Sequence, residues 1–481
     1  MDFTLSLDSQ IDQLLSPVAE FLTSIIFYAP NLFGVDIPLI VVWLICASVF
    51  FSFYFKFLNF TGFKHAIKVV KGDYTDKNDP GEVSHFQALT TALSGTVGLG
   101  NIAGVAIAVS IGGPGATFWM IVAGLLGMAT KFLECSLGVK YRVIDKDGRV
   151  HGGPMYYLRD GLKERGFVKS GKTLAMFFAI CCVVASLCGS NMLQSNQAYQ
   201  QFMVAFAADD SFWIGKGWLF GTLLAIVIGT VIIGGIKSIA KVTSTVVPAM
   251  ALTYLCASVF ILLNHWQDIP TAFGLIIQGA FNPEGVTGGL IGVMIQGFKR
   301  ATFSSEAGVG AASIAHAAAT TKEPIREGYV ALIEPFIDTV VICTLTALVI
   351  VISGSYQSAN VDGVALTSQA FESVIWWFPY LLSIAVLLFA ISTMISWAYY
   401  GSIAWEYIVG ESKMMGMLYK VVFCLFTIIG ASISLQSVID ISDSMFFSMA
   451  IANIVGLYLL APIVKRDLLQ YQAKYTNKKP T

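Results

Sequence analysis

Apolar residues form long runs along this chain, and short polar segments separate the runs. A helix needs about 20 mainly apolar residues to cross the hydrocarbon core of a bilayer, and the runs meet this length. The pattern predicts an all-α polytopic membrane protein with about eleven transmembrane helices. The predicted spans lie near residues 37–60, 87–112, 114–137, 173–205, 215–236, 243–263, 286–314, 327–353, 374–406, 415–436 and 442–464.

The composition agrees with a membrane location. Of the 481 residues, 56% are apolar and 12% are charged, whereas roughly 25% are charged in an average soluble domain. So few charges cannot cover the surfaces of a soluble chain of this length, and the lipid bilayer is the expected partner. A net charge of -1 offers no basic surface for phosphates, which argues against nucleic acid. No obligatory protein partner is evident from the sequence.

Lysine and arginine are distributed unevenly between alternate loops. If the N-terminus lies outside, the inner loops hold most cations, and segments 1–36, 264–285 and 354–373 hold none. Because cations accumulate on the cytoplasmic side, we expect an extracytoplasmic N-terminal segment 1–36 and a cytoplasmic tail 465–481 in the cell inner (plasma) membrane. Segment 1–36 also lacks the positive region of a secretory signal, so the first span should stay uncleaved.

Glycine clusters in the second span, in the run SGTVGLGNIAGVAIAVSIGGPG. Each glycine in a helix interior costs about 1 kcal/mol relative to alanine, so several within one turn favour local unwinding. Unwound backbone at membrane depth is tolerated where it lines a cavity, and there it binds ions and polar groups. The alternative is close helix packing through Gly100 and Gly104, which satisfy a GxxxG pattern.

A related pattern recurs in the seventh span. Residues 304–310, SSEAGVG, resemble residues 94–100, SGTVGLG. The second and seventh spans each open a set of five, and an odd number of spans per set makes the two sets inverted. The sequence therefore predicts a 5+5 inverted-repeat core with two broken helices, residues 87–263 and 286–464, and one extra N-terminal helix, residues 37–60. Such paired breaks are typical of secondary transporters with a midplane site.

Four runs also resemble a known family, the alanine or glycine:cation symporters, which are sodium-coupled amino-acid carriers of bacteria and archaea. The runs are GTVGLGNIAGVAIAVSIGGPGATFWM (95–120), TKFLECSLGVKYR with GGPMYYL (130–142 and 152–158), GFKRATFSSEAGVGAASIAHAAA (297–319) and EPFIDTVVICTLTALVI (334–350). The resemblance implies a carrier that imports a small neutral amino acid, alanine or glycine, with Na⁺ as coupling ion and no organic cofactor. The family also includes glutamine carriers, and Leu99 stands where a smaller residue is expected.

A zwitterionic substrate needs donors for its carboxylate and acceptors for its ammonium group. Backbone N–H groups of Gly98, Leu99 and Gly100, where the broken helix resumes, are the candidate donors. Carbonyls around Thr96 and Thr302 are the candidate acceptors.

Polar and aromatic side chains complete the predicted pocket. Asn191 and Gln194 interrupt an apolar helix three residues apart, hence on one face, and Gln194 is favoured for substrate contact. The alternative for Gln194 is an interhelical hydrogen bond. Phe303 and Trp397 are the predicted aromatic walls, and the alternative for each is ordinary core packing.

The expected Na⁺ site requires hard oxygen ligands. The wider fold that the resemblance implies places it between the second span and the ninth, with carbonyls of Ser94 and Val97 and hydroxyls of Ser392 and Thr393. Hydrogen bonding of the two hydroxyls within their own helix is the alternative. Asn101 would reach a second cation beside the substrate carboxylate.

Ionisable residues within the spans remain to be explained, since such groups are costly and usually paired. Glu306 lies in the second break. Glu334 and Asp338, four residues apart, are expected to pair with Arg300 or Lys299 as a structural ion pair or gate; a proton relay, and with it H⁺-coupled transport, is the alternative.

Two other classes, a membrane-embedded enzyme and a channel, compete with a transporter. A metal or haem enzyme requires His or Cys ligands within spans, but the histidines fall in loops or at helix ends. A channel requires a pore lined by several subunits, and inverted breaks suit alternating access better. We therefore expect no catalytic residues.

Overall fold

The computed structural model describes residues 7–32, 35–76, 78–206, 212–282, 289–357, 363–372, 377–432 and 436–476, and these are mostly helical. In the first half of the chain the helices are α1 (Leu7–Ile26), α2 (Leu39–Tyr54), α3 (Leu58–Thr61), α4 (Phe63–Lys71), α5 (His85–Thr96), α6 (Val105–Gly112), α7 (Ala116–Lys140), α8 (Pro154–Glu164), α9 (Val168–Leu187), α10 (Leu193–Phe206), α11 (Gly217–Ile232) and α12 (Gly235–Asn264).

The second half of the chain is also mostly helical. Its helices are α13 (Ile269–Phe281), α14 (Gly289–Ser305), α15 (Ala312–Ala317), α16 (Pro324–Ala331), α17 (Ile333–Pro335), α18 (Thr344–Ser353), α19 (Val364–Glu372), α20 (Phe378–Val409), α21 (Lys413–Ser432) and α22 (Gln436–Thr476), with a 3-10 turn at Ser355–Gln357.

Two short antiparallel hairpins interrupt the helices. Strands β1 (Asn31–Leu32) and β2 (Val35–Asp36) pair Asn31 with Asp36. Strands β3 (Val143–Ile144) and β4 (Val150–His151) follow α7 and pair Val143 with His151.

In the part of the chain that the structure describes, every predicted span coincides with a helix or a chain of helices; residues 286–288, 374–376 and 433–435 of three predicted spans lie outside it. Within the described residues, seven helices are long and apolar enough to cross a membrane, or eight if the bent pair His85–Thr96 and Gly100–Gly112 is one span. The predicted spans 37–60 and 215–236 correspond to the shorter apolar helices Leu39–Tyr54 and Gly217–Ile232. The membrane class is confirmed, whereas the count of eleven spans and the repeat boundaries stay predictions.

Both predicted helix breaks are present. Between α5 and the segment that resumes at Gly100, the axis bends by 54°. Between α14 and α15, the backbone has positive φ angles at Glu306 (54°), Gly308 (93°) and Gly310 (93°). Glycine favours this left-handed conformation because it has no Cβ, so these two glycines permit the second break.

Three π-helical segments lie close to the breaks in sequence or in space. They are Gly100–Gly104, Cys188–Met192 between α9 and α10, and Phe336–Cys343 between α17 and α18. A π-turn accommodates one more residue than an α-turn and rotates the side chains that follow, and such turns are frequent at functional sites.

Candidate functional site

The two helix breaks face each other across the centre of the bundle. An ideal Cβ built on Gly100 would lie 3.5 Å from the Cα of Ser304, which immediately precedes the second break. α20 passes beside both breaks: Ser94 donates a hydrogen bond of 2.6 Å to the carbonyl of Ser392, and Trp397 donates one of 3.1 Å to Oε1 of Glu306.

A small cavity of ≈ 30 Å³ lies where these elements meet. Nine of the residues predicted from the sequence line it, from both breaks and from α10 and α20. They are Thr96, Gly98, Leu99, Gly100, Gln194, Phe303, Glu306, Thr393 and Trp397. Further lining residues, which sequence reasoning missed, are Gly95, Ala185, Gly189, Ser190, Ser442 and Phe446.

A larger cavity of ≈ 460 Å³ adjoins the small one and shares Leu99, Gly100, Gln194 and Phe303 with it. Its volume lies in the range of small-molecule sites. Its wall is charged, because Lys299, Arg300, Asp440 and Asp443 also line it. By the predicted orientation this cavity is on the extracytoplasmic side of the breaks.

Asn101 joins the two breaks through its side-chain amide. Its Oδ1 accepts the Gly98 N–H over 2.8 Å, and its Nδ2 donates to Oδ1 of Asp338 over 2.6 Å and to Oγ of Ser304 over 3.1 Å. Asp338 Oδ2 also accepts from the hydroxyls of Ser304 and Thr339, over 2.7 and 2.8 Å. One carboxylate and one hydroxyl side chain thus contact the Asn101 amide in a fully buried setting.

The predicted Na⁺ ligands lie at one contact between α5 and α20. An ideal Cβ on Gly98 would be 2.7 Å from Oγ1 of Thr393, so glycine is needed there for the close approach. The Thr393 hydroxyl is buried without a hydrogen-bond partner. The Ser392 hydroxyl donates to the Phe389 carbonyl of its own helix over 2.9 Å. Ser94 and Val97 are both buried beside this contact.

Two predicted substrate residues are engaged elsewhere. Asn191 is directed toward α21, where its Nδ2 donates to the Phe423 carbonyl over 2.7 Å and its Oδ1 accepts from Thr427 over 2.8 Å. The Thr302 carbonyl, which is the predicted group, accepts the Glu306 N–H over 2.9 Å. Neither residue lines the small cavity. Of the two residues Asn191 and Gln194, only Gln194 lines the small cavity, and Asn191 lies in the π-helical turn Cys188–Met192.

The expected pairing of Glu334 or Asp338 with Arg300 or Lys299 is also wrong. Glu334 pairs with Lys131 of α7 over 2.9 Å, and both side chains are fully buried. Asp338 instead accepts the hydrogen bonds from Asn101, Ser304 and Thr339.

Further buried charged residues lie next to this pair, and no pattern in the sequence predicts their contacts. His316 Nε2 lies 3.4 Å from Oε2 of Glu334, and His316 Nδ1 lies 2.6 Å from Oε1 of Glu327. Glu327 also bonds to His85 at the start of α5. Glu134 stabilises the second break, since its Oε1 accepts the Gly308 N–H over 2.9 Å. These contacts join α5, α7, α15 and α16 behind the cavity.

Two facing helix breaks in a membrane bundle, with a cavity between them, are the arrangement typical of secondary transporters. A crystal structure of MhsT in complex with L-phenylalanine has a similar fold, with a TM-score of 0.55, 14% identity, and coverage of 80% of this chain and 90% of that one.

The chain belongs to the sodium:alanine symporter family, whose model matches residues 19–481. It is 40% identical to the sodium/alanine symporter AgcS of Methanococcus maripaludis over 431 residues, which cover 89% of this chain and 92% of that protein. It is 32% identical to the probable sodium/glutamine symporter GlnT of Bacillus subtilis over 445 residues, or 92% and 90% of the two chains. The sequence-based family assignment is confirmed, and the chain is a multi-pass membrane transporter.

Proposed function

We propose that this transporter imports alanine or glycine together with Na⁺ by alternating access. The observation that carries the proposal is the meeting of the two helix breaks at a cavity walled by Phe303 and Trp397. A volume of ≈ 30 Å³ holds about two water-sized groups, fewer than the heavy atoms of glycine or alanine, so the cavity would widen on binding and favours the smallest side chains. The adjoining ≈ 460 Å³ cavity supplies an approach route.

The substrate carboxylate would bind the backbone N–H groups where the first broken helix resumes. Leu99 and Gly100 are the favoured donors, because the Gly98 N–H already donates to Asn101. The positive end of the resumed helix favours a carboxylate there.

The ammonium group would lie toward the second break. Carbonyls near Thr96 and Thr302 remain the proposed acceptors, and the carboxylate of Glu306 adds another. Its Oε1 accepts from Trp397, whereas its Oε2 is buried without a hydrogen-bond partner. A buried carboxylate with one unpartnered oxygen favours a cationic group nearby.

The coupling ion would bind between α5 and α20, at the carbonyls of Ser94 and Val97 and the hydroxyls of Ser392 and Thr393. The unpartnered Thr393 hydroxyl beside Gly98 supports this position. The oxygens of Asp338, Ser304 and Asn101 are the proposed place for a second cation. One Na⁺ moved down 100 mV releases about 2.3 kcal/mol, which supports roughly 50-fold accumulation of a neutral substrate.

Uptake into proteoliposomes tests the proposal. Radiolabelled alanine, glycine and glutamine would be offered under Na⁺, Li⁺, K⁺ or H⁺ gradients. We expect saturable uptake of alanine or glycine that requires Na⁺. Preference for glutamine, the substrate for which the Bacillus subtilis relative is named, would make the chain a glutamine carrier. Uptake driven by H⁺ alone would contradict Na⁺ coupling, and flux that does not saturate would indicate a channel.

A further inference from the structure

His151 of strand β4 lies in a cluster of carboxylates that is separate from the two helix breaks. Its side chain is 1% exposed. Its Nε2 lies 3.5 Å from Oδ2 of Asp145, in the same hairpin, and 3.7 Å from Oε1 of Glu411, just beyond α20. Its Nδ1 lies 3.6 Å from Oε2 of Glu406, near the end of α20. The buried imidazole therefore faces carboxylates on both of its nitrogens.

These separations are long for hydrogen bonds and suit a shared metal ion. N–H···O hydrogen bonds have lengths of about 2.7 to 3.2 Å. Two ligands that each lie about 2.1 Å from a tetrahedral zinc ion are roughly 3.4 Å apart. Nδ1 of His151 and Oε2 of Glu406 are buried without hydrogen-bond partners. The ligand atoms of His151, Asp145 and Glu411 all lie within 4.8 Å of one another.

Backbone hydrogen bonds within the hairpin fix the orientation of the Asp145 carboxylate before any ion binds. Oδ1 of Asp145 accepts the backbone N–H groups of Asp147 and Arg149 over 2.9 and 2.8 Å, which leaves Oδ2 toward His151. The Val150 N–H donates to Oε1 of Glu82 over 2.7 Å and anchors the next residue.

The charge of the cluster also favours a cation. Asp145, Glu406 and Glu411 contribute three carboxylates, and the nearby guanidinium of Arg149 reaches Oε1 of Glu406 over 3.3 Å. With a neutral imidazole, the cluster is net negative. Histidine nitrogen with carboxylate oxygens is a ligand set that zinc accepts.

We propose that Nε2 of His151, Oδ2 of Asp145 and Oε1 of Glu411 bind a zinc-type divalent cation, with water in the remaining position. Glu406 would orient the imidazole, because its Oε2 lies 3.6 Å from Nδ1 and a small shift on ion binding would let it accept the Nδ1–H, as carboxylates do for zinc-bound histidines. The ion would tie the hairpin after α7 to the end of α20, the helix that carries Thr393 and Trp397. By the predicted orientation the site faces the cytoplasm. It does not depend on the identity of the transported amino acid.

Calorimetric titration with Zn²⁺ alone tests the proposal on the full chain in detergent. The exposed thiols of Cys46 and Cys256 would first be replaced by serine, because thiolates bind zinc. We expect one equivalent of Zn²⁺, with affinity at least about tenfold lower in Glu411→Gln and in Asp145→Asn. Glu406→Gln, which leaves all three ligands, should weaken binding about 10- to 100-fold.

The matched control is Asp268→Asn. Asp268 and His265 form an exposed pair of 3.3 Å elsewhere in the chain, and this variant should keep the wild-type affinity. Thermal unfolding would confirm that each variant is folded. The proposal is overturned if the wild type binds no Zn²⁺, if the double variant Asp145→Asn/Glu411→Gln binds like the wild type, or if Asp268→Asn loses the equivalent instead.

Discussion

The indole N–H of Trp397 donates a 3.1 Å hydrogen bond to Oε1 of Glu306 and so joins α20 to the second helix break. The Trp397 side chain is 1% exposed, and its ring lies 5.4 Å from that of Tyr400. The hydrogen bond and the ring contact hold the indole in place as a wall of the small cavity. Its bulk therefore limits the space beside the breaks.

Phe303→Ala should relax the size selectivity of transport. Phe303 lines both cavities, so removing its ring joins them into a larger space. We expect competition by amino acids with larger side chains to rise relative to competition by alanine, measured as inhibition of radiolabelled uptake. Phe281→Ala, at a 56% exposed phenylalanine outside both cavities, is the control. Unchanged selectivity in Phe303→Ala would remove this residue from the pocket.

Thr393→Val should raise the Na⁺ concentration that gives half-maximal uptake. The substitution keeps the shape and removes the unpartnered hydroxyl, and loss of a polar contact to a charge costs about 1.5 to 3 kcal/mol, or at least tenfold. By reciprocal linkage, substrate affinity at fixed Na⁺ should fall as well. Ser392→Ala should have a smaller effect, because that hydroxyl already donates to Phe389.

The opposite result would place the coupling ion at a different site. If Thr393→Val and the double variant with Ser392→Ala kept the wild-type Na⁺ dependence, while Asp338→Asn abolished it, the ion site would lie at Asp338 and Asn101. The experiment thus distinguishes the two cation positions.

Breaking the Lys131–Glu334 pair should destabilise the protein. Removal of one partner leaves a buried charge uncompensated, at a cost of about 3 to 5 kcal/mol. Lys131→Met and Glu334→Gln should each lower the Tm in detergent, and the double variant should lose less than the sum. Strict additivity of the two effects would show that the two side chains do not interact in the folded protein.

Thiol labelling tests the predicted orientation. Met155 in α8 is fully buried and would not react, whereas Arg165 just after α8 is exposed. In a variant without native cysteines, Arg165→Cys should resist a membrane-impermeant reagent applied from outside, and Gln267→Cys, at an exposed position after α12, should react. The reverse labelling pattern would invert the topology.

The sequence predicted the fold and the breaks because their signals are local. Glycine density predicted the first break, and the SSEAGVG run predicted the second, where Gly308 and Gly310 have positive φ. The likeness to the known family rested on these same runs.

Side-chain partners were harder to predict. The partner of Glu334 depends on how α7 packs, which the local sequence does not encode. Asn191 was misplaced because apolar periodicity does not reveal a π-turn. Ser442 and Phe446 were missed because a serine and a phenylalanine in an apolar run carry no distinctive signal.

The Lys131–Glu334 pair can form only after most of the chain has been synthesised. The partners are 203 residues apart in sequence, and at about 5 to 20 residues per second the ribosome needs roughly 10 to 40 seconds to make the intervening chain. Over that interval α7 is already synthesised, and the nearest acidic side chain on the same helix is Glu134, one turn away. Both contacts of this α7 turn, Lys131 with Glu334 and Glu134 with the Gly308 N–H, therefore wait for the second half of the chain to be made.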